Sequence, residues 1–170
     1  MSLKDLVADL RHMTAAWDAS PTGVLFGAMV RMPLYPGLKT VAYFRASQWC
    51  WVHHLRPVAL WCKARSVRAT GAEIHPAAII GPGFAVMHSV GIVVGHEVVA
   101  GRDLVLYQGV TLGHGGRAIG QPTIGDGVRI GAGAKVLGPV AVGDSARIAA
   151  NSLVLADVET GGRVSGTWRG

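Results

Sequence analysis

His88 is the side chain in this 170-residue sequence best suited to act on a substrate. It stands two residues after an aliphatic position of a regular repeat, in Phe-Ala-Val-Met-His-Ser-Val-Gly. That place points it away from a core and toward solvent. An imidazole that titrates near neutrality is a natural general base for a hydroxyl group. Glu73 precedes it by fifteen residues, three short of one 18-residue coil of the repeat described below. The two are therefore expected to meet across adjacent rungs. A carboxylate there would orient the ring and stabilise its protonated form, the base-and-orienter logic of hydrolytic triads.

The element that must carry these residues is a hexad repeat. From Ile74 onward an aliphatic residue returns every six positions. One series runs Ile74, Ile80, Val86, Ile92, Val98, Leu104, Val110, and a second runs Ile124, Ile130, Val136, Val142, Ile148, Val154. Each hexad supplies a short strand and a corner. Three hexads close a triangular coil, and stacked coils bury a continuous aliphatic column. At ~4.8 Å per rung, just over four coils give a column about 20 Å tall. Glycine follows the anchor at Gly81, Gly125, Gly131 and Gly143, where it is expected to relieve the backbone at the turn. Between the series lies a Gly-rich insert, residues 112–123, eight residues longer than one hexad step. A departure from a regular column is where function is expected.

Residues 1–73 read as helical. Leu3, Leu6, Val7, Leu10 and Met13 recur at helical spacing, continued by Ala16 and Trp17. Ser20-Pro21 reads as a cap followed by a first-turn proline. A second helical stretch runs from Leu38 to about Arg68, with a kink expected at Pro57. Tyr43, Phe44, Trp49, Trp51 and Trp61 are expected to pack the helices on each other and on the column. A membrane interface is the alternative, because Trp beside Arg and Lys suits one. The organisation is thus a helical region at 1–73, a hexad column at 74–159 and a tail at 160–170.

Composition narrows the classes. Charged residues are 15% and hydrophobic residues 50%, so the chain is not generally disordered. Twenty-four glycines without a Gly-X-Y period exclude collagen. No apolar run reaches the ~20 residues of a membrane span. Acidic residues near the start do not fit a signal peptide, and a cytoplasmic location is expected. The net charge of +6 is uneven, +5 over residues 1–73 and +1 over 74–170, but the basic side chains are dispersed rather than clustered and no nucleic-acid module accompanies them, so nucleic acid is not an expected partner. Cys50 and Cys62 are read as buried reduced thiols.

The stretch from Glu73 to His96, with its Ile-His-Pro and His-x-x-Gly-Ile-Val-Val-Gly blocks, resembles the serine O-acetyltransferase family. Val110-Thr-Leu-Gly and Ile130-Gly-Ala-Gly-Ala-Lys-Val-Leu-Gly add to the likeness. Upstream it runs through Gly37, Tyr43, Arg45 and Trp49, covering about residues 35–158. The resemblance implies a mainly β fold, a left-handed parallel β-helix of hexapeptide repeats with an N-terminal α-helical region. It implies acetyl-CoA as co-substrate, no metal, and a homotrimer with active sites between subunits. The reaction would be acyl transfer: His88 takes the acceptor's hydroxyl proton, and the oxygen attacks the thioester. The family's dyad partner is Asp where this chain has Glu73. Positions matching family CoA contacts are Gly113, His114, Ala132 and Ala150, with Lys135 and Arg147 facing phosphates.

The acceptor positions depart from the family. Met87 stands where an acidic residue precedes the catalytic histidine. Gly120-Gln121 replaces an Arg-His pair whose Arg binds the substrate carboxylate, and Arg117 in the insert is a candidate substitute. A further family acid falls near Thr22. His96 replaces a glutamate, with Glu97 shifted by one. Losing charge-assisted contacts at ~1.5–3 kcal/mol each would weaken serine severely. Met87, Arg117 and Gln121 therefore point to a small hydroxylated acceptor other than free serine, with serine O-acetyltransferase as the alternative. The chain lacks the Ile-terminated tail that docks into cysteine synthase in some members, and that partner is not expected. Two other classes remain: a non-catalytic scaffold, and a γ-carbonic-anhydrase-like metalloenzyme using His75, His88, His96 and His114. The histidine spacings do not show the close pair of that enzyme.

Overall fold

The computed structural model describes residues 3–14, 20–116 and 119–170. Ala16, Trp17 and Arg117 lie outside them. Four helices come first: α1 (Leu3–Thr14), α2 (Pro21–Arg31), α3 (Pro36–Val52) and α4 (Arg56–Thr70). Ser20 caps α2 by accepting a hydrogen bond from the Gly23 N–H at 3.2 Å, and Pro21 takes the first turn. The stretch from Leu38 to Arg68 is two helices, not one kinked helix. It breaks at 53–55, where His54 adopts a positive φ, and Pro57 opens the first turn of α4. Proline costs nothing there because its missing N–H would have no helical partner. No described helix is long and apolar enough to cross a membrane.

Fifteen short strands follow: β1 (Glu73–Ile74), β2 (Ile79–Ile80), β3 (Ala85–Val86), β4 (Val93–Val94), β5 (Val99–Ala100), β6 (Val105–Leu106), β7 (Thr111–Gly113), β8 (Thr123–Ile124), β9 (Arg129–Ile130), β10 (Lys135–Leu137), β11 (Ala141–Val142), β12 (Arg147–Ile148), β13 (Leu153–Val154), β14 (Arg163–Val164) and β15 (Thr167–Trp168). They stack in three parallel faces. Face A is β1-β4-β7-β10-β13-β15, face B is β2-β5-β8-β11, and face C is β3-β6-β9-β12-β14. The residues after 159 add two further rungs to the ladder, paired to β12 and β13. The second residue of every strand but the last points inward, so Ile74, Ile80, Val86, Val94, Leu106, Leu112, Ile124 and Ile130 fill one continuous core. Fully burying each such side chain contributes about 1.5–3 kcal/mol.

The register corrects the phase of the first series. Glu73 pairs with Val93, twenty residues on, whereas Val93 pairs with Thr111, eighteen on. Two extra residues therefore enter between Val86 and Val94, and the strand anchors become Val94, Ala100, Leu106 and Leu112. Ile92, Val98, Leu104 and Val110 are buried as well, at the corners. Both phases are aliphatic, which is why a six-residue count passes the slip unnoticed. Thr111 pairs with Lys135, twenty-four on. The insert proper is thus six residues longer than a regular coil, and the other two of the apparent eight belong beside His88.

The glycines after the anchors also serve a different purpose from the one expected. None of the four has a positive φ. A Cβ at Gly125, Gly131 or Gly143 would lie within 2.7 Å of a backbone nitrogen on the next coil. They permit close stacking. The left-handed conformation falls two residues later, on Gly83, Gly127, Gly133 and Ser145.

The helices sit on the first coil. Asp9 and Arg45, 0% and 2% exposed, form the joint. Arg45 Nε and Nη2 donate to the two Asp9 oxygens at 2.6 and 3.1 Å, and its other bonds reach the Ile80 and Gly81 carbonyls at 2.7 Å and Gln48 Oε1 at 3.1 Å. The Phe84 N–H donates to Asp9 at 2.9 Å. Burial pushes the Asp9 carboxyl up from its ordinary value, while the Arg45 and backbone bonds pull it back. At Gly37 the α3 backbone lies directly against the Val86 carbonyl, leaving no room for a Cβ. The aromatics divide unexpectedly. Phe44 is buried against Phe84, but Trp49 is 44% and Trp61 62% exposed, because α3 and α4 pack through small residues instead.

Candidate active site

The two-residue excess after β3 lifts Met87 and His88 out of the coil at the edge between faces C and A. Both are exposed. Ser89 pins the far side of the bulge by donating to the Thr70 carbonyl at 2.7 Å. His88 opens on a cleft of about 640 Å³ between this edge and helices α1 to α3. Its lining includes Met13, Leu34, Tyr35, Leu38 and Met87, with one cation among the described residues, Arg31. Arg31 and Tyr35 were not singled out in the sequence. Arg31 ends α2 and Tyr35 precedes α3, in a segment with no motif, and the docking of these helices brings both to the cleft wall.

Glu73 begins face A, one rung below. Its carboxylate is held by the Lys63 ammonium at 2.7 Å, and no hydrogen bond or ion pair joins it to His88. The expected meeting of the two side chains is not made in the single chain. The carboxylate is about half exposed, which leaves it free to rotate.

The positions expected to meet CoA separate into two groups. Ala132, Lys135 and Ala150 lie along the same edge as His88, on higher rungs, whereas Arg147 opens β12 on face C, beside the corner between faces B and C. Lys135 is bonded to the Gly109 carbonyl, and Arg147 donates to the Gly127 carbonyl at 2.8 Å. Beside them a groove of about 400 Å³ is lined by Tyr107, Arg129, Arg147, Ala150 and Arg163. Small residues at the edge, with exposed arginines along the adjoining face C, fit an extended arm carrying phosphates. Gly113 and His114 lie instead at the edge between faces A and B, with Gln121.

That second edge carries a ladder of rings. His75 meets His96 edge-on at 5.6 Å between centroids, and His96 meets His114 at a tilt at 5.9 Å. Trp51 lies 5.3 Å below His75. Gln121, 8% exposed, ties the top together: its amide nitrogen donates to His114 Nε2 at 2.9 Å and lies 3.4 Å from His96 Nδ1. Its oxygen accepts from the Glu97 N–H at 3.3 Å. Burial, then the charges of Lys63 and His96, hold His75 below the usual imidazole range, with Glu73 opposing. The rings follow one another along the edge rather than converging on one point. Among the described residues no group of three or more His, Cys, Asp or Glu side chains could hold a metal. Met87 and Gln121, both expected at the acceptor, thus belong to different edges of one column.

A parallel solenoid of hexads with a histidine raised at one edge defines the hexapeptide-repeat class of transferases. The family model described as bacterial transferase hexapeptide (six repeats) matches residues 121–156. A serine acetyltransferase of Synechococcus elongatus is 39% identical over 118 residues, covering 69% of this chain and 46% of that protein. One of Mycobacterium tuberculosis is 41% identical over 113 residues, covering 66% and 47%. Among solved structures, a serine acetyltransferase in complex with CoA superposes with a TM-score of 0.81 at 35% identity, covering 97% of this chain and 67% of that one. The Neisseria gonorrhoeae serine acetyltransferase in complex with serine gives 0.82 at 31%, covering 96% and 66%. The chain belongs to the serine O-acetyltransferase family, and spans about half the length of these curated relatives.

Proposed function

We propose that this chain catalyses acetyl transfer from acetyl-CoA to the hydroxyl of serine, with His88 as general base. The observation that carries the reading is the bulge that raises His88 over the cleft, at the position of the family's catalytic histidine. His88 would take the hydroxyl proton as the oxygen attacks the thioester carbonyl, and return it to the departing thiolate. Backbone N–H groups at the Gly-rich corners are the candidates to hold the oxyanion. Glu73, once released from Lys63, would orient the ring. The arm of CoA would run past Ala132 and Ala150, with Lys135 and Arg147 toward its phosphates.

Serine replaces the non-serine acceptor expected from Met87 and Gln121, because the relatives are named for serine. Arg31 is the chain's candidate for the carboxylate that the lost Arg would have bound. The assignment of Met87 and Gln121 to separate edges supports a homotrimer in which one protomer's His88 edge faces another's Gln121 edge. We place the enzyme in the cytoplasm, with its donor.

A second reading rests on the lining of the cleft: Met13, Leu34, Leu38 and Met87 are apolar, and among the described residues no carboxylate lines it to hold an ammonium group. That favours a hydroxylated acceptor without a free amine. Release of CoA thiol from acetyl-CoA is the test, with wild type and His88→Ala side by side. Serine-dependent release that falls ~10²–10⁴-fold in the variant is expected. Near-wild-type turnover in folded His88→Ala would refute the mechanism. Release supported by an amine-free alcohol and not by serine would move the acceptor to the second reading.

A further inference from the structure

Helix α4 is built inside out. The side it buries against α3 and the first coil is small: Ala59, Cys62, Ser66 and Thr70. The opposite side carries the large apolar residues at helical spacing, Leu60, Trp61 and Val67, which are 46%, 62% and 39% exposed. Small residues allow close helix packing, but a solvated helix normally turns its bulky apolar side chains inward. The pattern continues onto the connection before α4, where Val52 and Leu55 are 60% and 45% exposed. An apolar surface of this extent marks a contact with something else.

Charge says what that contact is. Residues 19–72 contain seven Lys and Arg and not one Asp or Glu. On α4 itself, Arg65 and Arg68 are exposed beside Trp61 and Val67, and the Arg56 guanidinium lies 4.2 Å over the Trp51 ring. Two copies of such a face would repel each other, which opposes self-pairing through it. Apolar side chains flanked by arginines, with indole rings among them, match the boundary of an anionic bilayer. There the rings and aliphatic groups enter the acyl edge, and the guanidinium groups meet lipid phosphates. We propose that the outward face of α4, with the 53–55 connection, is a docking surface for an anionic membrane, holding the enzyme peripherally on it.

The test is sedimentation of the whole chain with vesicles of phosphatidylglycerol and phosphatidylcholine mixed equally, and with vesicles of phosphatidylcholine alone. Binding is expected to the anionic vesicles and not to the neutral ones, and to weaken in high salt. Each arginine near such a surface is worth about fivefold in partitioning. Arg65→Gln with Arg68→Gln should therefore lower it about 25-fold, and Trp61→Ser should lower it too. These sites are exposed, so circular dichroism should remain that of wild type. Failure to bind either vesicle, or equal binding to both, overturns the proposal. So does wild-type binding by the folded double variant. Self-association that Trp61→Ser abolishes, without vesicle binding, would assign the face to a second copy and likewise overturn it.

Discussion

Changing Asp9 to Asn should loosen the helical region from the column, and the bonds at that joint set the size of the effect. The Asp9 carboxylate accepts three hydrogen bonds, two from Arg45 and one from the Phe84 N–H. An asparagine keeps the shape, but its NH2 group confronts a donor, and the negative charge is gone. The guanidinium stays buried and cannot shed its proton. Removing one partner of a buried pair costs about 3–5 kcal/mol. Arg45 retains the Ile80 and Gly81 carbonyls and Gln48 Oε1 as acceptors, which puts the expected loss near the lower end, about 3 kcal/mol. For a chain of this size that is a fall in Tm of roughly 6–12 °C. Among the described residues, Trp49 and Trp51 lie in α3 and Trp61 in α4, with Trp168 alone on the last rung. Urea unfolding followed by tryptophan fluorescence therefore reports the helices, and far-ultraviolet circular dichroism adds the column. The fluorescence transition should move to lower urea in Asp9→Asn. Arg45→Met should behave differently, because the abandoned carboxyl can take up a proton. Its pKa lies above the ordinary value, so that variant's penalty grows as pH rises from the carboxyl range. A loss under about 1 kcal/mol in Asp9→Asn would refute the reasoning, because a buried guanidinium would then need no counter-charge.

Arg31→Gln removes the cation from the His88 cleft. If it holds the acceptor carboxylate, KM for serine rises by about 10-fold or more with kcat little changed, the signature of a lost charge-assisted contact. An unchanged KM would remove Arg31 from the site. His75 gives a pH dependence of stability. Its folded pKa is depressed, so the unfolded chain binds the proton more readily between that value and 6.5. Stability should be full above pH 6.5 and decline as pH falls below it. The urea midpoint of wild type should thus drop between pH 7.5 and 5.5. His75→Asn, whose oxygen can still accept the Ala77 N–H now bound to His75 Nδ1, should show a smaller drop. An equal drop in the variant would assign the dependence to other groups.

The solenoid was legible in the residues because its cause is local. A coil of short strands needs an inward aliphatic side chain every six residues, and Ile124 to Val154 write that period without interruption. His88 was legible too, since an imidazole just past an anchor must leave the column. The Ser20 cap and the Asp9–Arg45 joint show the contrast. The cap needs only Ser20, Pro21 and Gly23, neighbours in sequence. The joint unites residues 36 positions apart with the carbonyls of the first coil. No periodicity announces it.

Pairing between coils settled the rest. Whether Ile92 or Val94 anchors face A depends on which residue meets Ile74 one rung below, and both are apolar. That choice moved two residues of apparent insert from the loop to the His88 bulge. The glycines at 125, 131 and 143 answer to the backbone of the next coil, at Asp144, Ala150 and Thr160. Glu73 found Lys63 rather than His88, because α4 lies against the first strand. Arg31 entered the His88 cleft by helix docking. A repeat is decided by spacing along the chain, while a site assembled from its edges is decided by register and packing across it.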